Sequence, residues 1–187
     1  MTRAFRSDPI ASSVVDSLID VARRGPSAGN AGSPDFLVLE GAQVAEYWDV
    51  ALSVDKRAEF PWPQLLVAPV LIVAWVDPQR YVDRYSETDK AHTGLGEAQS
   101  DWSVPYWFVD GGAAVMSLLL AAEAVGLGAL LFGLFEHEDA VRKRFSVPQG
   151  RRAVGVVALG HRAADRPSTS AKRGLRPLTE VTHRGTW

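Results

Sequence analysis

The chain is organised around the stretch Arg23-Arg24-Gly25-Pro26-Ser27-Ala28-Gly29-Asn30, which follows apolar residues at helical spacing. Pro26 cannot continue a helix and biases Gly25 toward extended geometry, whereas Gly29 and Asn30 tolerate left-handed backbone angles. A rigid loop of small residues is therefore expected, with main-chain amides that a flat or anionic ligand can approach. The alternative is an ordinary helix end, with the two arginines at the negative end of the helix dipole.

Composition limits the class of protein. The 187 residues are 47% hydrophobic and carry a formal net charge of -2, which predicts one globular domain over 1–187 with enough apolar residues for a core. The near-neutral charge disfavours nucleic-acid binding. Cysteine is absent, so thiolate metal sites and cysteine nucleophiles are excluded. The first residues do not resemble a signal peptide, and we expect a cytoplasmic protein.

One apolar span, 111–135, is long enough to cross a bilayer. It is interrupted by Glu123, Gly126 and Gly128. A charge near the middle and a pair of glycines favour a buried helix followed by a buried strand over a membrane segment.

Helical and extended patterns alternate along the chain. Asp8 and Pro9 predict the N-cap and first position of the first helix. Further helices are predicted at 44–54, 106–125 (apolar on nearly every side and hence buried) and 136–145, and strands at 36–39, within 65–76 mostly after Pro69, at 129–132 and at 153–159. This order predicts an α+β domain. The polar excursion over 77–104 is typical of a functional flap, expected at 86–105, and the polar tail after residue 160 needs solvent or a partner.

The loop motif is similar to the Pro-Ser-x-x-Asn signature of the FMN-dependent nitroreductase family, whose loop contacts the flavin. The resemblance implies flavin contacts from Pro26, Ser27, Ala28 and Asn30. An Arg-x-Phe-x-x-x-Pro motif, starting at Arg3, resembles the segment in which the family's arginine contacts the flavin phosphate.

Two further segments match the same family in the same order. The run Lys172-Arg173-Gly174-Leu175-Arg176-Pro177-Leu178-Thr179-Glu180-Val181 resembles the family's closing basic segment, and implies that Arg173 and Arg176 grip the phosphate. The run 126–135, which begins Gly-Leu-Gly, resembles the strand and turn whose amides face the flavin near N5, here the backbone of Gly133 and Leu134. Asp110 matches a family pattern and is expected to act as an N-cap or first-turn charge.

The resemblance implies a nitroreductase-like fold, with a central, mostly antiparallel sheet flanked by helices and a C-terminal tail extended over the partner subunit of a homodimer. It implies FMN as cofactor, NAD(P)H as electron donor, and a small electron-poor acceptor, nitroaromatic or quinone-like, in a ping-pong reaction at shared flavin sites. The chemistry takes place at N5 of the flavin, so no catalytic side chain is expected. No metal is expected either, because the four histidines lack ligand spacing.

Departures from the family pattern leave alternatives open. Asn30 leads to Ala31-Gly32-Ser33-Pro34 where the family usually has x-Gln-Pro-Trp, and the segment 60–64 lacks the Asn and Lys that some relatives place on the ring. These absences favour a flavin-holding or sensing protein without turnover, or a biosynthetic oxidase on the same scaffold. The aromatic residues Trp102, Tyr106, Trp107 and Phe108 are interpreted as core packing or as a lid over an aromatic substrate.

Overall fold

The structure is a computed structural model and describes residues 1–32, 34–166, 168 and 173–187. Four strands form an antiparallel sheet in the order β1-β2-β4-β3. They are β1 (Asp35–Glu40), β2 (Val70–Val76), β3 (Gly128–Phe132) and β4 (Arg152–Gly160). Every residue of β2 is buried, as its continuous apolar run predicts for a central strand. The predicted α+β class and antiparallel sheet are confirmed.

Seven α-helices surround the sheet in the described residues. They are α1 (Ser12–Ala22), α2 (Ala42–Ala51), α3 (Val54–Ala58), α4 (Pro78–Ser86), α5 (Tyr106–Ala124), α6 (Glu138–Arg144) and α7 (Leu178–Val181). Asp77 caps α4 by accepting a hydrogen bond from the Gln79 amide, with proline at the first helical position.

The core has a layer on each face of the sheet. On one face, α1 and α5 contribute Val15, Leu18, Val115 and Leu118. On the other face lie α2 and α6, with residues such as Tyr47, Trp48 and Val141. Alternate residues of β2 enter the two layers, because successive side chains of a strand point to opposite faces. Full burial of a residue such as Leu118 stabilises the fold by roughly 1.5–3 kcal/mol.

Two helix boundaries differ from the sequence prediction. The first helix begins at Ser12 with Ala11 as N-cap, so the N-cap predicted at Asp8 is wrong. Asp8 instead pairs with Arg6 at 2.8 Å, and the Arg6 amide donates to the His161 carbonyl at 2.9 Å, which ties this segment beside the end of β4. The helix predicted at 44–54 ends at Ala51, and a separate short α3 follows.

The prediction that α5 is buried on nearly every side is wrong for the single chain. Val109, Met116, Leu120 and Val125 are between 49% and 58% exposed, because only one side of the helix faces the sheet and α1. The helix is long and apolar enough to cross a membrane by length and composition alone. Its packing against the sheet and α1 is that of a core helix whose outer face is uncovered.

The flap, residues 87–105, is anchored on the protein by one aromatic side chain. Trp102 is only 8% exposed and packs edge-on against Tyr81 and Tyr85 of α4. The tail contrasts with the flap, since Leu175 and Trp187 are 97% and 100% exposed.

Candidate functional site

Three of the predicted site residues meet at a single cavity of about 420 Å³, here called the amino-terminal cavity. Arg3 lies on its wall with the backbone of Gly133 and Leu134, and most of the remaining lining is apolar. The other lining residues include Met1, Tyr47, Trp48, Ala51, Leu52, Phe60, Trp62, Leu65, Phe132, Phe135 and His137. The volume is in the range of cavities that bind small molecules and cofactors.

The turn after β3 gives this cavity its hydrogen-bond donors. The main-chain amides of Gly133 and Leu134 have no acceptor among the described residues. A Cβ at Gly133 would lie 3.1–3.3 Å from the ring of Phe135, so the turn fits closely around a residue without a side chain. Phe135 itself has a positive φ of 49°, and its ring is 83% exposed. Such backbone outliers concentrate at ligand sites, and this one adjoins both free amides.

Two arginines lie over Trp62, a residue of the cavity wall. The guanidinium carbon of Arg3 lies 5.1 Å from the Trp62 ring centroid, and that of Arg166 lies 4.6 Å from it. The Arg3 amide donates to the Asp165 carboxylate at 2.8 Å, which fixes the first residues beside the chain after β4. No sequence motif predicts a role for Arg166, because none includes it, and it is the fold that brings it to Trp62.

The loop after α1 is held by the half-buried carboxylate of Asp110. Asp110 accepts one hydrogen bond from the Ala28 amide at 2.7 Å and another from the Tyr81 hydroxyl at 2.8 Å. Because α5 begins at Tyr106, Asp110 is in its second turn, and the expected N-cap role is wrong. Burial, followed by the hydrogen bond to Asp110, raises the pKa of Tyr81 well above its ordinary value, so this phenol remains a donor.

The same loop is tied to α4 and the flap by Arg84. Its Nε donates to the Gly29 carbonyl at 2.7 Å, while its two terminal nitrogens each donate to Asp89 at 2.7 Å. Gly29 and Asn30 have positive φ angles of 61° and 56°, which the sequence predicts from their residue types. The amides of Ser27 and Gly29 have no acceptor within the described part of the chain and are available to a ligand.

A second cavity, the loop cavity, opens beside this loop. It measures about 430 Å³ and is lined by Ala28, Tyr85, Leu95, Trp102, Ser103, Val104 and Tyr106. A further cavity of about 460 Å³, near Ser7 and Val70, contains no predicted site residue, and its one charged lining residue is the anionic Glu40. That cavity does not suit a phosphate.

The predicted site residues therefore fall into three groups within one chain. Arg3, Gly133 and Leu134 line the amino-terminal cavity, whereas Ala28 lines the loop cavity, with Pro26, Ser27 and Asn30 in the same loop. Arg173 and Arg176 lie on the exposed tail and line neither cavity. Arg176 donates to the carbonyl of Glu180 at 2.7 Å. Lys172, the first residue of the basic motif, lies outside the described residues.

The residues of the amino-terminal cavity fit a flavin mononucleotide. Arginine suits a phosphate because it donates parallel hydrogen bonds, and the apolar walls suit a flat ring. Unbonded main-chain amides at the turn after β3 suit the polar edge of that ring. The cavity thus provides one arginine, apolar surface and main-chain donors together, with Glu136 as the acidic residue of its lining.

Comparison with known proteins agrees with this geometry. The sequence profile of the Nitroreductase family matches residues 1–161. The chain belongs to this family, which supports an oxidoreductase activity. Members of the family are typically flavin-dependent and generally dimeric.

Individual relatives are distant. A protein of Methanothermobacter thermautotrophicus, whose name proposes an NADH dehydrogenase/NAD(P)H nitroreductase, is 27% identical over 89% of this chain and 74% of its own length. An FMN-dependent nitroreductase of Clostridium difficile superposes with a TM-score of 0.67 at 15% identity, over 100% of this chain and 94% of the other. A nitroreductase family protein of Streptococcus pneumoniae gives 0.71 at 19%, over 98% and 94%. These likenesses confirm the nitroreductase-like fold.

Proposed function

We propose that the protein is an FMN oxidoreductase that transfers two electrons from NADH or NADPH to a small electron-poor acceptor. The observation that carries the proposal is the amino-terminal cavity, which Arg3, Gly133 and Leu134 line together with apolar residues, and where the two turn amides have no described acceptor. A bound FMN would supply the hydride chemistry for a ping-pong reaction in which donor and acceptor bind in turn.

The protein's own contribution is binding and orientation. Arg3 would hold the phosphate, and the amides after β3 would donate to the polar edge of the ring. Apolar residues such as Trp48 and Phe132, whose rings stack 5.7 Å apart, form the dry wall. No side chain is required to move a proton, and within the described residues no His, Asp and Glu cluster could hold a metal.

A homodimer accounts for the separation of the predicted residues. The loop 26–30 lines a different cavity from Arg3, so we infer that the loop of one subunit completes the amino-terminal cavity of the other. The exposed apolar face of α5 and the exposed tail residues Leu175 and Trp187 both favour coverage by a partner chain. In this arrangement the tail would extend over the partner in the cytoplasm, and Arg173 and Arg176 would reach its phosphate site.

The test is spectroscopic and then kinetic. The purified protein should be yellow, with a flavin absorbance that bleaches under anaerobic NADH or NADPH and recovers when a nitroaromatic or quinone is added. Light scattering at micromolar concentration should give the mass of a dimer. A colourless protein that takes up no FMN would refute the proposal.

A second candidate is a flavin-holding protein without turnover. It is favoured by Gly32 and Pro34, which stand where the family usually has the glutamine and the tryptophan that follow the loop asparagine. In that case the bound flavin would stay oxidised under both nucleotides. A biosynthetic oxidase on the same scaffold would instead be reduced by its own substrate.

A further inference from the structure

Trp62 connects two cations that are distant in sequence. Arg3 comes from the first residues and Arg166 from the segment after β4, yet both guanidinium groups lie over this one indole ring, at 5.1 Å and 4.6 Å. The two arginines and Trp62 also line a shared cavity of about 340 Å³, here called the arginine pocket. Because Arg3 and Trp62 also line the amino-terminal cavity, the arginine pocket adjoins the proposed flavin site.

Neither of these arginines has a carboxylate partner among the described residues, although most described arginines do. Arg57 pairs with Asp49, Arg144 with Glu46 and Arg162 with Glu123, while Arg23 and Arg24 share Asp20. Asp165 lines the arginine pocket, but its recorded hydrogen bond is to the Arg3 amide rather than to either guanidinium. Arg173 and Arg184 also lack a carboxylate, but they lie on the exposed tail.

Two guanidinium groups lie over one aromatic ring without a carboxylate partner, and this arrangement favours the binding of an anion. Like charges repel, and the attraction of each cation to an aromatic face offsets only part of that repulsion. Arg166 is further fixed by donating from Nη2 to the Pro61 carbonyl, so its side chain is already oriented. A phosphate dianion accepts several charge-assisted hydrogen bonds at once, which suits a pair of guanidinium groups better than a carboxylate.

We propose that Arg166 acts with Arg3 as the phosphate-binding pair for FMN, with Trp62 as the platform that orients both side chains. The inference rests on the proposed function and adds a cofactor-binding residue that no family motif contains. Arg3, Arg166 and Trp62 are all within one chain, so this anchor forms without a partner subunit. Arg173 and Arg176 would then supplement it from the tail.

Riboflavin separates a phosphate contact from a structural effect, because it has the same ring system without the phosphate. The experiment titrates flavin-free protein with FMN and with riboflavin, following the quenching of flavin fluorescence. It compares wild type, Arg166→Gln, Arg166→Lys and the control Arg144→Gln, whose arginine pairs with Glu46 away from the pocket. An Arg173→Ala plus Arg176→Ala double variant measures the contribution of the tail.

We expect Arg166→Gln to weaken FMN binding about tenfold or more while riboflavin binding stays unchanged. Arg166→Lys should lie between wild type and Arg166→Gln, because lysine keeps the charge and loses the planar fork. Arg144→Gln should match wild type. The FMN affinity of Arg166→Gln should rise less steeply than that of wild type as salt is lowered, since one cation is missing.

Two results would overturn the inference while leaving the proposed function intact. One is wild-type FMN affinity in Arg166→Gln. The other is an equal loss of FMN and riboflavin affinity, which would show that Arg166 only supports the cavity wall. A wild-type protein that binds neither flavin would refute the proposed function itself. If only the tail double variant lost FMN affinity, the anchor would belong to Arg173 and Arg176 instead.

Discussion

The amino-terminal cavity and the loop cavity differ in what their polar groups do. Around the amino-terminal cavity, Arg3 has no carboxylate partner and the amides of Gly133 and Leu134 have no described acceptor. Beside the loop cavity, Asp110 and Arg84 already have their hydrogen bonds within the chain. The first region therefore keeps its bonding capacity for a ligand, whereas the second uses most of its own capacity to fix the shape of a loop.

This contrast predicts which substitutions affect stability and which affect binding. A group whose hydrogen bonds are internal costs stability when it is removed, because buried partners are left unsatisfied. Removing a group that has no partner within the chain and is free to bind a ligand lowers the affinity for that ligand and leaves the fold nearly unchanged.

Asp110→Ala should give the largest loss of stability, about 3 kcal/mol in the free energy of unfolding, because the Ala28 amide and the hydroxyl of the buried Tyr81 both lose a charged acceptor. Asp110→Asn should lose less, since the amide oxygen still accepts. Urea unfolding followed by circular dichroism measures both, with the exposed Asp16→Ala as the matched control. A loss below about 0.5 kcal/mol for Asp110→Ala would show that the loop does not depend on this carboxylate.

Gly29→Ala should be the next largest. The residue has a φ of 61°, where a side chain costs roughly 1–2 kcal/mol, and the new Cβ would lie 2.7 Å from Cε2 of Tyr85. Tyr85 can yield only by shifting its edge-on contact with Trp102, so the expected loss of unfolding free energy is about 2 kcal/mol. The FMN affinity should fall as well if the displaced loop completes the partner's cavity. Unchanged stability would contradict the role of the left-handed glycine.

Gly133→Ala is the matched substitution in the other region, and its effect on stability should be small, about 0.5 kcal/mol. The three atoms nearest to its new Cβ, at 3.1–3.3 Å, all belong to the exposed ring of Phe135, which can swing away into solvent. The FMN affinity should nevertheless fall several-fold, because the added methyl group crowds a turn that lines the proposed flavin cavity. If Gly133→Ala lowered stability as much as Gly29→Ala does, the proposed difference between the two regions would be wrong.

The sequence predicted the fold better than it predicted the contacts around the sites. Strand β2 was recognisable because seven successive apolar residues have few other structures available. The partners of Asp110 lie 82 and 29 residues away along the chain, and local capping rules cannot see them. Arg166 reaches the Pro61 carbonyl across 105 residues and was invisible for the same reason. The N-cap prediction at Asp8 failed because the hydrogen bond from the Arg6 amide to the His161 carbonyl outweighed the local preference of Asp8 for an N-cap position.

The smallest effect concerns the ion pair that joins the flap to the loop. Hydrogen bonds from Arg84 hold the pKa of Asp89 at about 2, below its ordinary value, so the flap contact is complete above about pH 4 and is lost as pH falls toward 2. Because the pair is exposed, its contribution is small and salt-sensitive. The contribution of Trp102 to the fluorescence is the difference between the wild-type spectrum and that of a Trp102→Phe variant. In wild type this contribution should change between pH 4 and pH 2. In Asp89→Asn that step should be absent, and the spectrum at pH 7 should already resemble the acid form of wild type. An identical acid step in both proteins would show that other carboxylates hold the flap and that Arg84 serves the loop alone.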